Sequence, residues 1–210
     1  RQRQMCIRDR GCLIILANTI GIGLAEHLVK EKLENASGMK AGIDFGLAYS
    51  PIRISLKSNL EESATTSQFV SAVNEESLRS ACAFLNTAVK AEMIRTGSIK
   101  TAEATDLFKN AFQDVNIALA NEFAKFCEKT GIDFMEILNI ANRHSNCQLP
   151  TPRITKEHAS KASLLLLEEA SMADTNLLLL AHGRKVNDDM LRHTLHLIIE
   201  VSNQRRYRFI

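Results

Sequence analysis

The chain has 210 residues, of which 45% are hydrophobic and 24% are charged, a composition typical of a globular protein with a substantial core. Its 26 basic and 24 acidic residues are mixed along the sequence and leave a formal net charge of +2, so neither nucleic acid nor an anionic membrane surface is an expected partner. The longest apolar runs, Leu164–Leu167 and Leu177–Leu180, are far shorter than the ~20 residues of a membrane-spanning helix. The five cysteines are odd in number and show no C-x-x-C spacing, which argues against a disulfide framework and favours a cytoplasmic location.

Residues 12–97 carry the pattern of an α/β domain. We interpret residues 1–11, which show no apolar periodicity, as a sequence scar outside the fold. The predicted elements are a strand, a helix, a strand, a helix and a short strand, in the order Leu13–Ala17, Leu24–Glu34, Phe45–Ser50, Glu75–Leu85 and Ala88–Arg95. The first three of them predict a right-handed parallel βαβ unit.

The pattern is helical throughout residues 98–182 and in the final segment, 183–210. The first of these helices is long and carries an apolar stripe with members three or four residues apart: Phe108, Phe112, Val115, Leu119, Phe123 and Phe126. Gly131 is a typical C-terminal stop, and Asp133 with Glu136 has the capping-box spacing that begins a second helix. Prolines predict extended chain near Pro150, and two further helices follow over Lys156–Ala173 and Thr175–Val201.

Gly21 and Gly23 stand where a dinucleotide-binding fingerprint would have its glycines, between a strand and a helix. The fingerprint requires a third glycine three residues later, and Glu26 occupies that position. A carboxylate in the first helical turn competes with phosphate for the positive helix end. Although Asp44 lies at a spacing that suits a ribose-binding acid, we interpret the two glycines as a compact strand-to-helix turn.

Two other groups of residues are weak candidates for chemistry. His193, His196 and Glu200 share one helical face at metal-ligand spacing, but histidines facing solvent or satisfied in the core are more common, so no metal site is predicted. Cys147 lies near His144 as a nucleophile lies near its base. No orienting acid in a recognisable context accompanies that pair, so we do not assign it a role.

A row of mostly polar residues on the long helix is predicted to lie beside the phenylalanine stripe: Asp106, Asn110, Asp114, Ile117 and Asn121. Polar side chains next to a core need partners. Two interpretations stay open, one in which these residues satisfy loop backbone groups and one in which they line a polar cleft.

The segment Ala102–Asn142 is very similar to the central helical segment of the nucleotide-sugar dehydrogenases, the UDP-glucose/GDP-mannose dehydrogenase family. LANTIGIG resembles the family's E-S-T-V-P-P-G turn, DFGLAYSPIRIS resembles its D-F-x-L-A-Y-S-P-E-R-I stretch, and RKVNDDM resembles its A-R-x-V-N-D-x-M element. NRHSNCQLPTPRI resembles the stretch before the family's G-G-H-C turn, most like the branch acting on UDP-N-acetylglucosamine and UDP-N-acetylmannosamine. The resemblance extends from Leu13 to about Ile199. It implies the C-terminal part of a Rossmann-like NAD-binding domain, an all-α central dimerisation domain over 98–182, and a helix leading to a missing nucleotide-sugar-binding domain.

The resemblance also implies an activity in polysaccharide biosynthesis, the NAD-dependent oxidation of a UDP-sugar C6 alcohol to a uronate. That chemistry uses a cysteine nucleophile, a lysine and an asparagine that stabilise oxyanions, and a carboxylate that activates water. Two positions of this chain match the family's site. Thr19 matches a threonine near cofactor and sugar, and Asn110 matches the oxyanion asparagine.

The other family positions are substituted. Asp106 stands at the position of the catalytic lysine, and Ile52 stands at the position of the S-P-E-R glutamate, with Leu56 and Lys57 replacing the P-G that follows. Aligned on the leucine-rich helix, Ala159 takes the place of the cysteine. Ser163 then takes the place of the neighbouring aspartate, and no cysteine occurs after Cys147.

These substitutions indicate a catalytically degenerate member of the family, a pseudoenzyme that binds a UDP-sugar or pairs through the central helix as a homodimer or with an active homologue. An alternative is an active NAD-dependent oxidoreductase on a UDP-N-acetyl amino sugar with a cysteine-independent mechanism. A third is a truncated reading frame without function.

Overall fold

A computed structural model describes residues 11–51, 67–88, 92–144, 146–155 and 157–204. It separates into two compact units, Arg1–Leu107 and Phe108–Ile210. The division falls inside the longest helix, whereas the domain boundary predicted from the sequence lies at residue 98. The predicted scar, residues 1–11, lies outside the described residues except for Gly11.

The first unit contains a four-stranded sheet in the order β1-β2-β3-β4. Its strands are β1 (Leu13–Leu16), β2 (Gly46–Tyr49), β3 (Gln68–Ala72) and β4 (Met93–Arg95). The pair β1–β2 is parallel, with Leu13 opposite Gly46 and Leu16 opposite Tyr49, which confirms the parallel pair predicted from the sequence. Strands β2 and β3 are antiparallel, and β3 and β4 are parallel. Strand β3 was not predicted.

The helix Glu75–Ala88 of the first unit packs on this sheet. A π-helical segment, Ala25–Lys30, continues as α1 (Glu31–Ser37), and α2 spans Glu75–Ala88. The helix predicted over Leu24–Glu34 is confirmed, although Ala25–Lys30 is π-helical rather than α-helical. One part of the core joins α2 to the strands through buried Ala48, Val70, Leu78, Ala81, Cys82 and Leu85.

The turn after α1 is held by Glu34. Gly38 ends the helix in the left-handed region, with φ of 71°, and the Glu34 carboxylate accepts from Lys40 Nζ at 2.9 Å and from the Ala41 N–H at 3.1 Å. The hydrogen bond from Lys40, and then the bond from Ala41, hold the pKa of Glu34 below its usual value. The turn that delivers the chain to β2 is thus fixed by side-chain bonds.

Helix α3 spans Ile99–Thr130, and its part from Phe108 onward is the first element of the second unit. It ends at Gly131, with φ of 72°, as predicted. Helix α4 (Phe134–Ala141) begins with Asp133, whose side chain accepts from the Met135 N–H. The capping prediction holds for Asp133, although the bond goes to Met135 rather than to Glu136. Helices α5 (Glu157–Met172) and α6 (Leu178–Gln204) complete the unit.

The two sides of α3 in the second unit differ from the predicted arrangement. The phenylalanines of its stripe are exposed, from 43% for Phe123 to 72% for Phe112, while Asp114 and Asn121 are fully buried. Asp114 follows Phe112 by two residues, which is about 200° around a helix. The prediction that the polar row lies beside the phenylalanine stripe is therefore wrong, because the polar residues face the interior and the aromatic residues face outward. None of the helices in the described ranges has the length and apolar character required to cross a bilayer.

Candidate functional site

Thr19 and Asp106 are in direct contact in the first unit. Thr19 lies in the loop after β1, and Asp106 lies on the second turn of α3, 87 residues later. The Thr19 hydroxyl donates to Asp106 Oδ2 at 2.5 Å. Asp106 is fully buried and Thr19 is half-buried. A buried carboxylate needs a donor such as this hydroxyl, because an unpaired carboxylate costs far more free energy to bury than a neutral polar group does.

Glu103 holds the other end of the same loop. It lies one turn before Asp106 on α3, is fully buried, and accepts the Gly23 N–H at 2.5 Å and the Ala25 N–H at 2.8 Å. Gly23 has φ of 84°, a left-handed conformation in which glycine is the least strained residue. Two carboxylates of α3 therefore fix the loop from Thr19 to Ala25.

The Gly21-Ile22-Gly23 turn does not fit the pyrophosphate of NAD. A phosphate at a helix start is bound by free backbone N–H groups, and the N–H groups of Gly23 and Ala25 are bound by the Glu103 carboxylate. Glu26, which occupies the third-glycine position of the fingerprint, is exposed. The carboxylate that actually occupies the turn comes from 80 residues further along the chain, which local spacing does not reveal.

The remaining predicted site residues fall in different parts of the chain. Asn110 is half-buried on α3, in the second unit. Ser163 is fully buried on α5, and within the described ranges its Oγ has no hydrogen-bond partner. Ala159 lies in the first turn of α5, where its side chain is not among those described. Ile52, Leu56 and Lys57 lie outside the described residues.

A buried polar network in the second unit was not predicted as such. Arg184 Nη1 donates to both carboxylate oxygens of Asp114, at 2.9 and 3.1 Å. Asn187, one turn later on α6, donates from Nδ2 to Asp114 Oδ1 at 2.8 Å and to the Asp114 carbonyl at 2.9 Å. Arg184 also bonds the more exposed Asp188. These hydrogen bonds join α6 to α3.

The network continues into the extended chain before α5. Asn121 Nδ2 donates to Asn187 Oδ1 at 2.9 Å, and the Asn121 amide exchanges two bonds with the backbone of Arg153, at 2.9 and 3.1 Å. Of the two interpretations left open for the polar row, Asn121 fits the one in which side chains satisfy loop backbone groups. The sequence RKVNDDM places Arg184 and Asn187 on one helical face, but their partner Asp114 lies 70 residues earlier than Arg184.

The histidines and cysteines singled out in the sequence have ordinary surroundings. His193 Nε2 lies 2.7 Å from Glu128 Oε2, between α6 and α3, and His196 lies 3.8 Å from Glu200. Cys147 is half-buried, and its N–H donates to the His144 carbonyl. Within the ranges that the structure describes, no three His, Cys, Asp or Glu side chains converge on a common point.

Known proteins are similar to this chain in both sequence and fold. Residues 100–189 match the model of the UDP-glucose/GDP-mannose dehydrogenase family, central domain. The UDP-N-acetyl-D-mannosamine dehydrogenase of Pyrococcus horikoshii is 32% identical over 195 residues, which covers 92% of this chain and 46% of that protein. The protein of the same name from Methanocaldococcus jannaschii is 30% identical over 184 residues, which covers 87% of this chain and 40% of that protein.

A solved structure agrees with the sequence relatives. The UDP-D-ManNAc dehydrogenase of Pyrococcus horikoshii superposes with a TM-score of 0.82 at 32% identity, over 94% of this chain and 47% of that one. The chain thus spans about half the length of the curated relatives it matches. The match takes in the α/β unit as well as the helical unit. The chain belongs to the nucleotide-sugar dehydrogenase family, near the UDP-N-acetyl-D-mannosamine dehydrogenases.

Proposed function

We propose that this chain is part of a family member that binds a UDP-linked N-acetyl amino sugar and has lost the oxidation of the C6 alcohol. The names of the relatives supply the ligand class. The observation that carries the loss of chemistry is Asp106, which stands at the lysine position of the family and binds the hydroxyl of Thr19.

The charge of Asp106 opposes the family reaction. A group that stabilises a developing oxyanion donates a hydrogen bond or brings positive charge, and removal of one such donor costs ~2.7–4 kcal/mol of transition-state stabilisation. Asp106 brings negative charge and uses its Oδ2 to accept from Thr19. Asn110 keeps the residue type of the family's oxyanion asparagine. Of the two positions that stabilise an oxyanion, one therefore keeps its residue and the other carries a charge of opposite sign.

The covalent route also lacks its nucleophile. A thioester mechanism requires a thiolate, and the sequence contains no cysteine after Cys147. The chain offers Ala159 and Ser163 at the aligned cysteine and aspartate positions. A serine without a hydrogen-bonded base is a weak nucleophile, and in the described residues Ser163 Oγ has no such partner.

NAD is the cofactor that the resemblance implies, and the Gly21–Gly23 turn does not hold its pyrophosphate because Glu103 occupies the relevant N–H groups. We therefore assign no hydride-transfer step to the described residues. Thr19 stays the proposed contact to a ligand at this turn, through its hydroxyl oxygen.

The exposed phenylalanine stripe of α3 supports a second part of the proposal, a role in pairing. Large apolar side chains in a contiguous exposed row are characteristic of protein interfaces. We propose that this face of α3 pairs with a second copy of the chain or with an active homologue. A chain without its own oxidation chemistry would then act as a binding or structural subunit.

Binding and turnover measured together test this function. The full chain is titrated with UDP-N-acetylmannosamine by calorimetry, and NADH absorbance is followed after NAD⁺ is added. Sugar binding without NADH formation supports the proposal. NADH formation that is lost in Asn110→Ala would overturn the loss of chemistry and favour the active enzyme of altered mechanism. NADH formation that survives Asn110→Ala would place the reaction outside the family's site.

A further inference from the structure

The Thr19 hydroxyl is committed as a donor to one partner. A threonine hydroxyl has one hydrogen and two acceptor lone pairs, and the hydrogen of Thr19 is donated to Asp106 Oδ2 at 2.5 Å. Asp106 is fully buried and sits on a helix, so its carboxylate keeps a fixed position. Toward any additional group, the Thr19 oxygen is left with lone pairs only.

The electrostatics of the loop favour the same kind of ligand group. Glu103, one turn from Asp106, consumes the N–H groups of Gly23 and Ala25, which are the donors that would otherwise attract an anion to the start of the helical segment. Two fully buried carboxylates therefore face the loop that carries Thr19. A carboxylate or phosphate oxygen brought to Thr19 would meet lone pairs and negative charge.

We propose that Asp106 makes Thr19 an acceptor that selects ligand groups carrying their own hydrogen, such as an alcohol or an amide, over carboxylate and phosphate oxygens. The inference rests on the proposed function, because it takes a UDP-sugar to be the ligand at this loop. Thr19 contacts the ligand, and Asp106 is a positioning residue that acts through it. The chain then binds the sugar in its alcohol form and discriminates against the corresponding uronate.

A pair of ligands that differ in one group tests this selectivity. Dissociation constants of the full chain are measured by calorimetry at neutral pH for UDP-N-acetylmannosamine and for its C6 uronate. We expect the alcohol to bind about tenfold more tightly, as one hydrogen bond to a charged or oriented partner allows. The ratio of the two constants is the diagnostic quantity, since a uniform structural defect weakens both ligands alike.

Three variants test whether Thr19 and Asp106 are responsible for the ratio of the two dissociation constants. Asp106→Asn keeps the size of the side chain and removes the negative charge, so the ratio is expected to fall toward one. Thr19→Val removes the acceptor and has the same effect. Thr19→Ser keeps the hydroxyl and is the matched control that retains the ratio. Thermal unfolding of each variant reports whether the fold is preserved.

The outcomes separate this inference from the proposed function. Equal affinity of the unmodified chain for both sugars, or tighter binding of the uronate, overturns the selectivity but leaves UDP-sugar binding intact. A ratio that persists in Asp106→Asn shows that Asp106 is not its source and also overturns the inference. Failure of both sugars to bind overturns the proposed function itself, and the inference with it.

Discussion

At the scale of single residues, the ion pair between Arg184 and Asp114 shows what burial requires of a charged group. Their side chains are 6% and 0% exposed, and desolvation of each charge is offset only by the shared hydrogen bonds and by the amide of Asn187. Arg184 Nε has no hydrogen-bond partner in the described parts of the chain. The pair therefore depends on its remaining bonds, and loss of one member leaves the other charge buried.

Replacement of Asp114 by alanine is expected to destabilise the fold by about 3 kcal/mol, the lower end of the range for breaking a buried pair. The lower end applies because Asp188 continues to bond Arg184. Urea unfolding of the variant measures the change. Asp189→Ala is the control, since Asp189 and Arg192 pair at 3.2 Å with side chains 56% and 82% exposed, and exposed pairs contribute at most about 1 kcal/mol. Equal losses in the two variants would contradict the argument.

The sequence predicted the location of Thr19 and Asp106 but not the contact between them. Resemblance to the family placed both residues near one site, but the hydrogen bond between them joins positions 87 apart, and spacing rules act only over a few turns. Likewise, the sequence predicts that the Glu26 carboxylate lies at the glycine turn, whereas the carboxylate that binds the turn is that of Glu103. Long-range partners of buried carboxylates follow from tertiary packing, which a single sequence does not encode locally.

At the scale of elements, the terminal residues of helices were the most predictable features. Gly131 and Asp133 were identified as a stop and a start from local chemistry alone, and both act so in the structure. Strand β3 was missed even though Phe69 and Val70 form an apolar pair in it, because all four of its first residues are buried and no alternation marks the strand. The π-helical turn at Ala25–Lys30 has no sequence signature of this kind.

The end of α3 provides a prediction about backbone conformation. Gly131 has φ of 72°, and the N–H of Ile132 donates to the Cys127 carbonyl at 3.0 Å, which is the bond of a glycine-terminated helix. A Cβ at Gly131 would meet no atom within 4 Å, so Gly131→Ala costs only the left-handed conformation, about 1 kcal/mol. Chemical denaturation measures this loss.

Gly97 is the matched control for that substitution. A Cβ at Gly97 also meets no atom within 4 Å, but its φ lies outside the left-handed region. Gly97→Ala should therefore leave stability unchanged or raise it slightly through the unfolded chain, by about 0.4–1 kcal/mol. If Gly131→Ala and Gly97→Ala both left the free energy of unfolding unchanged, the left-handed conformation of Gly131 would not be the reason that α3 ends there.

At the scale of the whole molecule, the binary pattern of α3 identified an apolar stripe but not what covers it. In the second unit the polar side of the helix is buried by the Asp114 and Asn121 network, and the phenylalanines are left outside. Hydrophobic periodicity alone assigns apolar residues to a core. The inversion is explained if the apolar face is completed by another chain, which is the pairing that we propose.

Phe112 is the residue on which that pairing is tested. It is 72% exposed and lies within the stripe, so Phe112→Ser removes apolar area from the proposed interface without leaving a cavity in the core. We expect the dissociation constant of the dimer, measured by sedimentation equilibrium, to rise at least about tenfold, the equivalent of about 1.4 kcal/mol. Phe84→Ser is the control, because Phe84 is 60% exposed on α2 in the other unit. A monomeric parent chain, or equal weakening by both substitutions, would contradict pairing through α3.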